Sequence, residues 1–301
     1  MSKKILIICG ATGSGKSSLA INLAKKLNTE IISADSLAIY QDLDIGTAKP
    51  SKEEQTEVKH HLIDVVSPFE TFSVSDYEDM ALPIIDNLLS QGKTPIICGG
   101  TGFYINSILY KLSYGGTPEN VDVRNKYFEL AKTKGPEFVY NELKKIDEET
   151  AKKLHQNDLV RVIRALEIYY ATGKKKSEQN DKLNPRYDYT AVTIDHDRET
   201  LYSRINERVD VMINNGLIDE VKSLINRGVT KENQCMQGIG YKEVYDAIIA
   251  NDFTTLAELI KLNSRHYAKR QITFFKKLEN LNYLKGDLDS LTEQTINLLN
   301  K

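Results

Sequence analysis

The sequence predicts an α/β fold: a parallel-sheet core with a helical insertion domain. Three observations carry this expectation. Short, almost wholly apolar runs alternate with helical periodicity over the first hundred residues. Purely helical, charged texture replaces them over 120–172, and an apolar strand then returns at Thr190–Asp195. Strands that are apolar at every position need cover on both faces, which parallel strand–helix–strand units provide.

Ile5–Cys9 reads as a fully buried strand, followed by a Gly-rich turn and a helix from Lys16 to about Lys26. Glu30–Ser33 is a second strand, ending at Ala34-Asp35. Asp76–Gln91 is helical. Thr94–Cys98 is a third strand, running into Gly99-Gly100-Thr101-Gly102. In such sheets ligands bind beyond the carboxyl ends of strands, where these loops fall. The texture changes after Tyr114–Pro118, and a polar Lys-rich stretch, Gly173–Tyr187, precedes the returning strand. The expected organisation is 1–114 as the first part of the core, 115–189 as the helical insertion, and 190–301 as the second part. That last part carries helices at 198–214, 217–226, 240–250 and 254–278, with a basic helix over 259–285.

The chain has 301 residues, of which 41% are hydrophobic and 27% charged, with 17 Gly and 7 Pro. This is globular composition and excludes a disordered, collagen-like or coiled-coil chain. The N-terminal apolar run, Ile5–Cys9, falls far short of the roughly 20 residues a membrane span needs, and it is a poor signal peptide. Cys9, Cys98 and Cys235 are scattered, with no CxxC pair, so neither a zinc site nor a disulfide framework is indicated. A cytoplasmic monomer is expected. Basic residues number 40 and acidic residues 42, a net charge of −2. The charge is uneven: 259–285 holds seven basic residues and one acid, +6 against −8 for the rest. A second basic knot, Arg161 to Lys176, has five basic residues and the single Glu167. Net charge therefore does not exclude a nucleic-acid partner.

Gly10-Ala11-Thr12-Gly13-Ser14-Gly15-Lys16-Ser17 matches GxxxxGK[ST], with a strand before it and a helix after it. The core is thus P-loop NTPase-like. In such a loop the backbone N–H groups converge on phosphate oxygens and the helix N-terminus adds positive partial charge. Lys16 would neutralise the terminal phosphates and Ser17 would ligate Mg²⁺. The loop specifies a diphosphate or triphosphate, not ATP in particular. An NTPase usually adds an apolar strand ending in an Mg²⁺-holding Asp, but Thr94–Cys98 ends in glycines. The acid aimed at the loop is Asp35, as a metal-side residue, a general base or a turn cap. Leu62-Ile63-Asp64 reads as a strand end.

Further motifs follow in order: Asp35-Ser36-Leu37-Ala38-Ile39-Tyr40, Asp44–Pro50, Gly99–Ile105, Arg161–Glu167, Arg204–Asp210, Met236–Glu243 and Arg265–Thr273. Their order and spacing, from residue 4 to about 278, resemble the bacterial tRNA dimethylallyltransferases, also called tRNA isopentenyltransferases. Ala38 stands where that family often has Gln, Phe274 where it has Trp, and Lys175 where it has Pro. The resemblance implies transfer of a dimethylallyl group from dimethylallyl diphosphate to N6 of the adenine 3′ of the anticodon, position 37. Its implied partners are that diphosphate and the tRNA anticodon arm, with Mg²⁺ as cofactor.

Residue roles follow from the resemblance. The amides of Thr12–Ser17, Lys16, Mg²⁺ on Ser17, and Arg208 would stabilise the departing diphosphate. Asp35 would accept the N6 proton. Thr101 would face the adenine or the diphosphate. RNA contacts would come from Asp35, Ser36, Leu37, Ala38 and Thr101, and from Val123, Arg124, Arg161 and Arg164 in the insertion. Gln237, Gly240, Lys269, Arg270 and Gln271 complete the RNA set. Gln237 would read a base edge, and Tyr241 is a stacking partner or a core residue. Lys261, Arg265 and Lys269 recur at helical spacing as a basic stripe that Lys276 extends. Three other readings remain: a small P-loop kinase, an ATP-dependent RNA-binding module without chemistry, and an adenylate isopentenyltransferase using free AMP or ADP. The long, Lys-rich 115–189 insertion argues against the kinase.

Overall fold

The computed structural model describes residues 4–117, 120–179 and 184–301. The chain opens with β1 (Lys4–Cys9), α1 (Lys16–Leu27), β2 (Ile31–Ser33), α2 (Lys52–Glu57) and β3 (His60–His61). There follow α3 (Val74–Ser90), β4 (Ile96–Gly99) and α4 (Gly102–Leu109). Four helices come next: α5 (Val121–Lys134), α6 (Pro136–Ile146), α7 (Glu148–Ala151) and α8 (Leu159–Thr172). The last stretch holds β5 (Asp188–Ile194), α9 (Arg198–Asn214), α10 (Leu217–Asn226), α11 (Tyr241–Ala250), α12 (Leu256–Phe275), β6 (Leu281–Leu284) and α13 (Leu288–Leu299).

The strands form one parallel sheet in the order β3-β2-β4-β1-β5-β6. Ile5–Cys9 is wholly buried, as a central strand covered on both faces requires. Parallel pairing places the carboxyl ends of β1, β2 and β4 on one edge. The Gly10–Ser17 loop, Asp35 and Gly99–Thr101 are gathered there. β2 and β4 meet so closely that a Cβ on Gly99 would lie 2.1 Å from the Ala34 carbonyl oxygen, which only glycine avoids.

Contacts divide the chain into two units, Met1–Leu109 with Pro185–Lys301, and Tyr110–Asn184. The insertion was expected over 115–189. The division differs because Asp188 and Tyr189 already pair with Lys4 and Ile5, and Arg186 N–H donates to the Leu109 carbonyl at 2.7 Å. Part of the Lys-rich stretch, residues 180–183, lies outside the described residues. The second unit packs Tyr127, Val139, Leu143, Val162 and Leu166 into its own core.

The expected basic helix over 259–285 is two elements. α12 ends at Phe275, and Leu281–Leu284 is a strand paired with Ala191–Ile194. The turn between them places Asn280 at φ 56°, in the left-handed region. α13, which follows, is capped by Asp287 on the Ser290 amide and packs on α1, with Asn22 donating to Thr292 at 2.9 Å.

Candidate active site

The phosphate loop is built by local sequence. Gly13 and Gly15 take φ of 75° and 92°, the left-handed region that glycine enters without strain. No side chain caps α1 at Gly15, so the first amides of that helix point outward. The amides of Gly13, Gly15, Lys16 and Ser17 donate to no protein group among the described residues. Thr12 differs from expectation: its N–H is taken by Gln271 Oε1 at 2.8 Å. Lys16 Nζ rests on the Ala11 carbonyl at 2.5 Å, and burial pushes its pKa below the ordinary lysine value. Arg204 Nε donates to the Gly13 carbonyl at 2.9 Å, and His196 Nε2 to that of Ser14 at 2.9 Å. Ser14 Oγ is buried with no partner.

Asp35 leaves β2 into a tight turn. Its Oδ1 accepts the Leu37 amide at 2.9 Å and the Ala38 amide at 3.3 Å, while Oδ2 accepts from no protein donor among the described residues. The turn-cap role is therefore real, and it aims the carboxylate. Thr101 starts α4, and its amide donates to Ala34 at 3.0 Å. Its Oγ1 accepts the Ser36 amide at 3.0 Å and donates to Ser36 Oγ at 3.2 Å. Ser36 and Thr101 thus lock the β2 and β4 turns together.

α9 and α12 close the site from the other side. Arg208 Nη2 donates to the Thr47 carbonyl at 2.9 Å. Burial lowers its pKa, opposed by the Asp35 charge. Tyr267 lies beside Thr101, Gln271 and Asp35, and burial pushes its hydroxyl up to about 12. Gln271, one turn along, is buried and bridges two strand ends: it accepts from Thr12 and donates to the Gly100 carbonyl at 3.0 Å.

Two cavities result. One, of about 610 Å³, is lined by Gly13, Gly15, Lys16, Ser17, Lys49 and Arg204. The other, of about 380 Å³, is lined by Leu37, Ile205, Val209, Met212, Ile239 and Gln237. Thr12, Asp35, Thr47, Arg208 and Tyr267 line both. A cationic, amide-lined chamber and a largely apolar one therefore share a wall containing one carboxylate and one guanidinium.

Several expected RNA contacts have internal partners. Gln271 is buried, as above. Gly240 N–H donates to Glu243 Oε2 at 2.7 Å. Tyr241 is core, its hydroxyl donating to Glu220 at 2.6 Å, so it is no stacking partner. Gln237 Nε2 donates to the Lys231 carbonyl. Arg124 makes a two-pronged pair with Glu167 at 3.0 and 3.1 Å, and Arg164 adds a third contact at 3.3 Å. Arg164 also holds the Tyr114 and Thr117 carbonyls. Glu167 is wholly buried, so these cations compensate it. Val123 packs against the same core, and Arg161 pairs with Asp158 at 3.4 Å. On α12, Lys261 pairs with Asp210 at 2.8 Å and Arg265 donates to Asn206 at 2.6 Å. Lys285 pairs with Asp195 at 3.2 Å. Lys269, Arg270, Lys276 and Lys277 are exposed.

Sequence reasoning read Tyr267 only as an aromatic interleaved in the basic stripe, and missed Thr47 as a site residue and Gln271 as a clamp. The four-residue spacing of Tyr267 and Gln271 puts both on one face of α12, the one available signal. Burial pushes the Cys98 thiol up to about 11 and Cys9 up to about 12, so neither is a thiolate nucleophile at neutral pH. Among the described residues no three His, Cys, Asp or Glu side chains cluster to hold a metal. Ser17, at the larger cavity with Asp35 and Glu207, suits Mg²⁺, which binds through one or two protein oxygens plus phosphate and water. No helix among the described residues is long and apolar enough to cross a membrane.

The family model described as IPP transferase matches residues 38–278. The tRNA dimethylallyltransferase of Acetivibrio thermocellus is 47% identical over 287 residues, 94% of this chain and 92% of that protein. The full-length tRNA isopentenylpyrophosphate transferase structure from Bacillus halodurans superposes with a TM-score of 0.73 at 38% identity, covering 99% of this chain and 95% of that one. The structure of a eukaryotic dimethylallyltransferase acting on tRNA superposes at 0.83 with 32% identity, covering 98% of this chain and 78% of that one.

Proposed function

Because the chain belongs to the IPP transferase family and has tRNA dimethylallyltransferase activity, we propose that it prenylates N6 of adenine 37 with Asp35 as the general base. The shared wall of the two cavities carries this reading: Asp35 and Arg208 face both chambers. Dimethylallyl diphosphate places its diphosphate on the Gly13, Gly15, Lys16 and Ser17 amides, the Lys16 side chain and Arg208. Its prenyl carbon then lies toward the apolar chamber of Ile205, Val209 and Met212. The adenine enters that chamber beside Asp35. The anticodon loop is already single-stranded, which lowers the cost of drawing a base from the stack.

C–O cleavage develops negative charge on the diphosphate, and fixed donors aimed at that charge lower the barrier. Ser17 would hold Mg²⁺, which supplies further neutralisation of the diphosphate. Asp35 Oδ2 accepts the N6 proton as the N–C bond forms. Arg208 stands in the same wall as Asp35, whose charge opposes the lowering that burial imposes on the guanidinium, and the Thr47 carbonyl holds it there. Lys269 and Arg270 contact the RNA backbone.

The test is transfer of label from dimethylallyl diphosphate with Mg²⁺ to unmodified tRNA, with AMP and ATP as controls. Label on tRNA alone, at position 37, is the expected result. Label on AMP, or phosphate transfer from ATP without prenylation, overturns the assignment.

A further inference from the structure

One carboxylate outside both cavities holds an unusual set of donors. Glu220 lies in the first turn of α10, and its Oε2 accepts the Asp44 amide at 2.9 Å and the Ile45 amide at 2.8 Å. Its Oε1 accepts the Gly46 amide at 3.2 Å and the Tyr241 hydroxyl at 2.6 Å. Three successive backbone N–H groups thus converge on one side chain, a nest for an anion supplied by the protein itself. The packing is tight: a Cβ on Gly46 would lie 2.5 Å from the Tyr241 ring. The next residue is Thr47, whose carbonyl accepts Arg208 Nη2 and whose hydroxyl donates back to Leu43 at 2.6 Å. From the inner side, Lys49 braces the same loop on the Tyr40 carbonyl at 2.6 Å and on Asp44 at 2.7 Å.

We infer that Glu220 is a positioning residue for prenyl transfer, anchoring the Asp44–Gly46 amides so that the Thr47 carbonyl holds Arg208 on the leaving diphosphate. The inference rests on the reading of Arg208 given above. Its chemistry requires a carboxylate. Each oxygen takes two donors, and an amide in its place would turn one acceptor into a donor facing the loop N–H groups. Glu220 lines neither cavity, so its loss reaches the site through the loop and not by direct contact.

The experiment is steady-state prenylation of tRNA by Glu220→Gln, Glu220→Asp, Arg208→Ala and the double variant Glu220→Gln with Arg208→Ala. Tyr241→Phe is the stability control. Glu220→Gln is expected to lower kcat roughly tenfold or more, because small misplacement of a catalytic group is costly. The KM for tRNA is expected to hold within about twofold, since no RNA contact changes. Glu220→Asp, which keeps both acceptor oxygens, recovers activity above the Gln variant. Tyr241→Phe loses melting temperature but keeps kcat within about threefold, because the three amide bonds survive. In the Arg208→Ala background, Glu220→Gln adds less than about twofold, since residues acting as one unit are not additive. Multiplying losses in the double variant overturn the Glu220 inference and leave Arg208 in its role. Full activity of Arg208→Ala overturns the Arg208 reading, and the inference with it. Equal loss of kcat in Tyr241→Phe and Glu220→Gln at equal loss of melting temperature also overturns it, by making Glu220 purely structural.

Discussion

On the proposed mechanism Asp35 carries two roles on its two oxygens, and a pair of substitutions separates them. Asp35→Asn keeps Oδ1, which accepts the Leu37 and Ala38 amides at 2.9 and 3.3 Å. It replaces only Oδ2, the oxygen that meets no protein donor among the described residues. The turn survives with two neutral bonds in place of two charge-assisted ones, a loss of about 0.5–1 kcal/mol. Asp35→Ala removes both bonds, at about 1 kcal/mol each, and so costs about 2 kcal/mol. For a chain of this size that lowers the melting temperature by roughly 4–8 °C, against about 1–4 °C for Asn. Both variants lose the proton acceptor, a role worth about 10²–10⁴-fold in rate. The expected pattern is therefore equal rate loss and unequal stability loss. Single-turnover transfer at saturating tRNA gives the rate, a thermal melt gives the stability, and filter binding checks that tRNA is still held. If Asp35→Asn transfers at more than about a tenth of the wild-type rate, Asp35 is not the base, because a general base cannot be removed so cheaply. Its contribution would then be the turn alone.

Gln271→Leu leaves the Thr12 N–H and the Gly100 carbonyl without partners. It should lower stability by about 2–4 kcal/mol and raise the KM for dimethylallyl diphosphate, measured by melts and kinetics, while an unshifted melt would refute the clamp. Lys269→Ala should weaken tRNA binding and reduce the salt slope of log K by about 0.7–1, whereas Lys261→Ala, already paired with Asp210, should leave the slope unchanged. Equal slopes for the two would refute the division of α12 into free and committed cations. In the second unit, burial alone would raise the Asp147 carboxyl, but hydrogen bonds from Thr150 and Ser177 outweigh it and hold the pKa at about 2. A depressed pKa stabilises the fold above the ordinary value of 3.8 and loses that contribution as pH falls toward 2. Asp147→Asn should cost about 2 kcal/mol at pH 7, with the gap to wild type closing between about pH 4 and pH 2.

What was legible in the sequence was local. The β1 strand, the phosphate loop and the start of α1 are contiguous, and each residue's job follows from its neighbours. Asp35 was legible because a strand end points an acid at a known edge. The β6 strand was not: Leu281-Asn282-Tyr283-Leu284 is short, half polar and directly behind a long helix, so its pairing with β5 decides it. Nor was the Gln271 clamp, which joins Thr12 across 259 positions through a backbone amide that carries no sequence signal. The glycines after β4 were visible as a turn. Their partners were not, since Gly99 faces Ala34 and Gly102 faces Phe274 only once the chain has folded. Charge counting failed in a different way. Arg124, Arg164, Lys261 and Lys285 all raised the positive tally, yet each is opposed by an acid within 4 Å. Sequence shows where cations are, and only tertiary structure shows which remain for a partner.

The missing acid at the end of β4 and the acid at the end of β2 are parts of one arrangement. In a nucleotide-hydrolysing P-loop site the strand beside β1 ends in an Asp committed to the metal. Here that strand ends in Gly99 and Gly100, pressed against Ala34 and Gln271, where no side chain fits. The acid stands instead one strand further out, after Ala34. That displacement puts Asp35 at the wall shared with the apolar chamber, beside Arg208 and Tyr267. On the proposed mechanism this is where a base is needed, since the acceptor nitrogen and the leaving diphosphate must lie on opposite sides of the migrating carbon. A P-loop that grips a leaving group need not hydrolyse a nucleotide, and restoring the metal-holding acid by Gly99→Asp would drive its Cβ into the Ala34 backbone. That variant should lose folded protein in a melt rather than acquire nucleotide hydrolysis. Soluble, stably folded Gly99→Asp with ATPase activity would refute the steric account of why the acid moved.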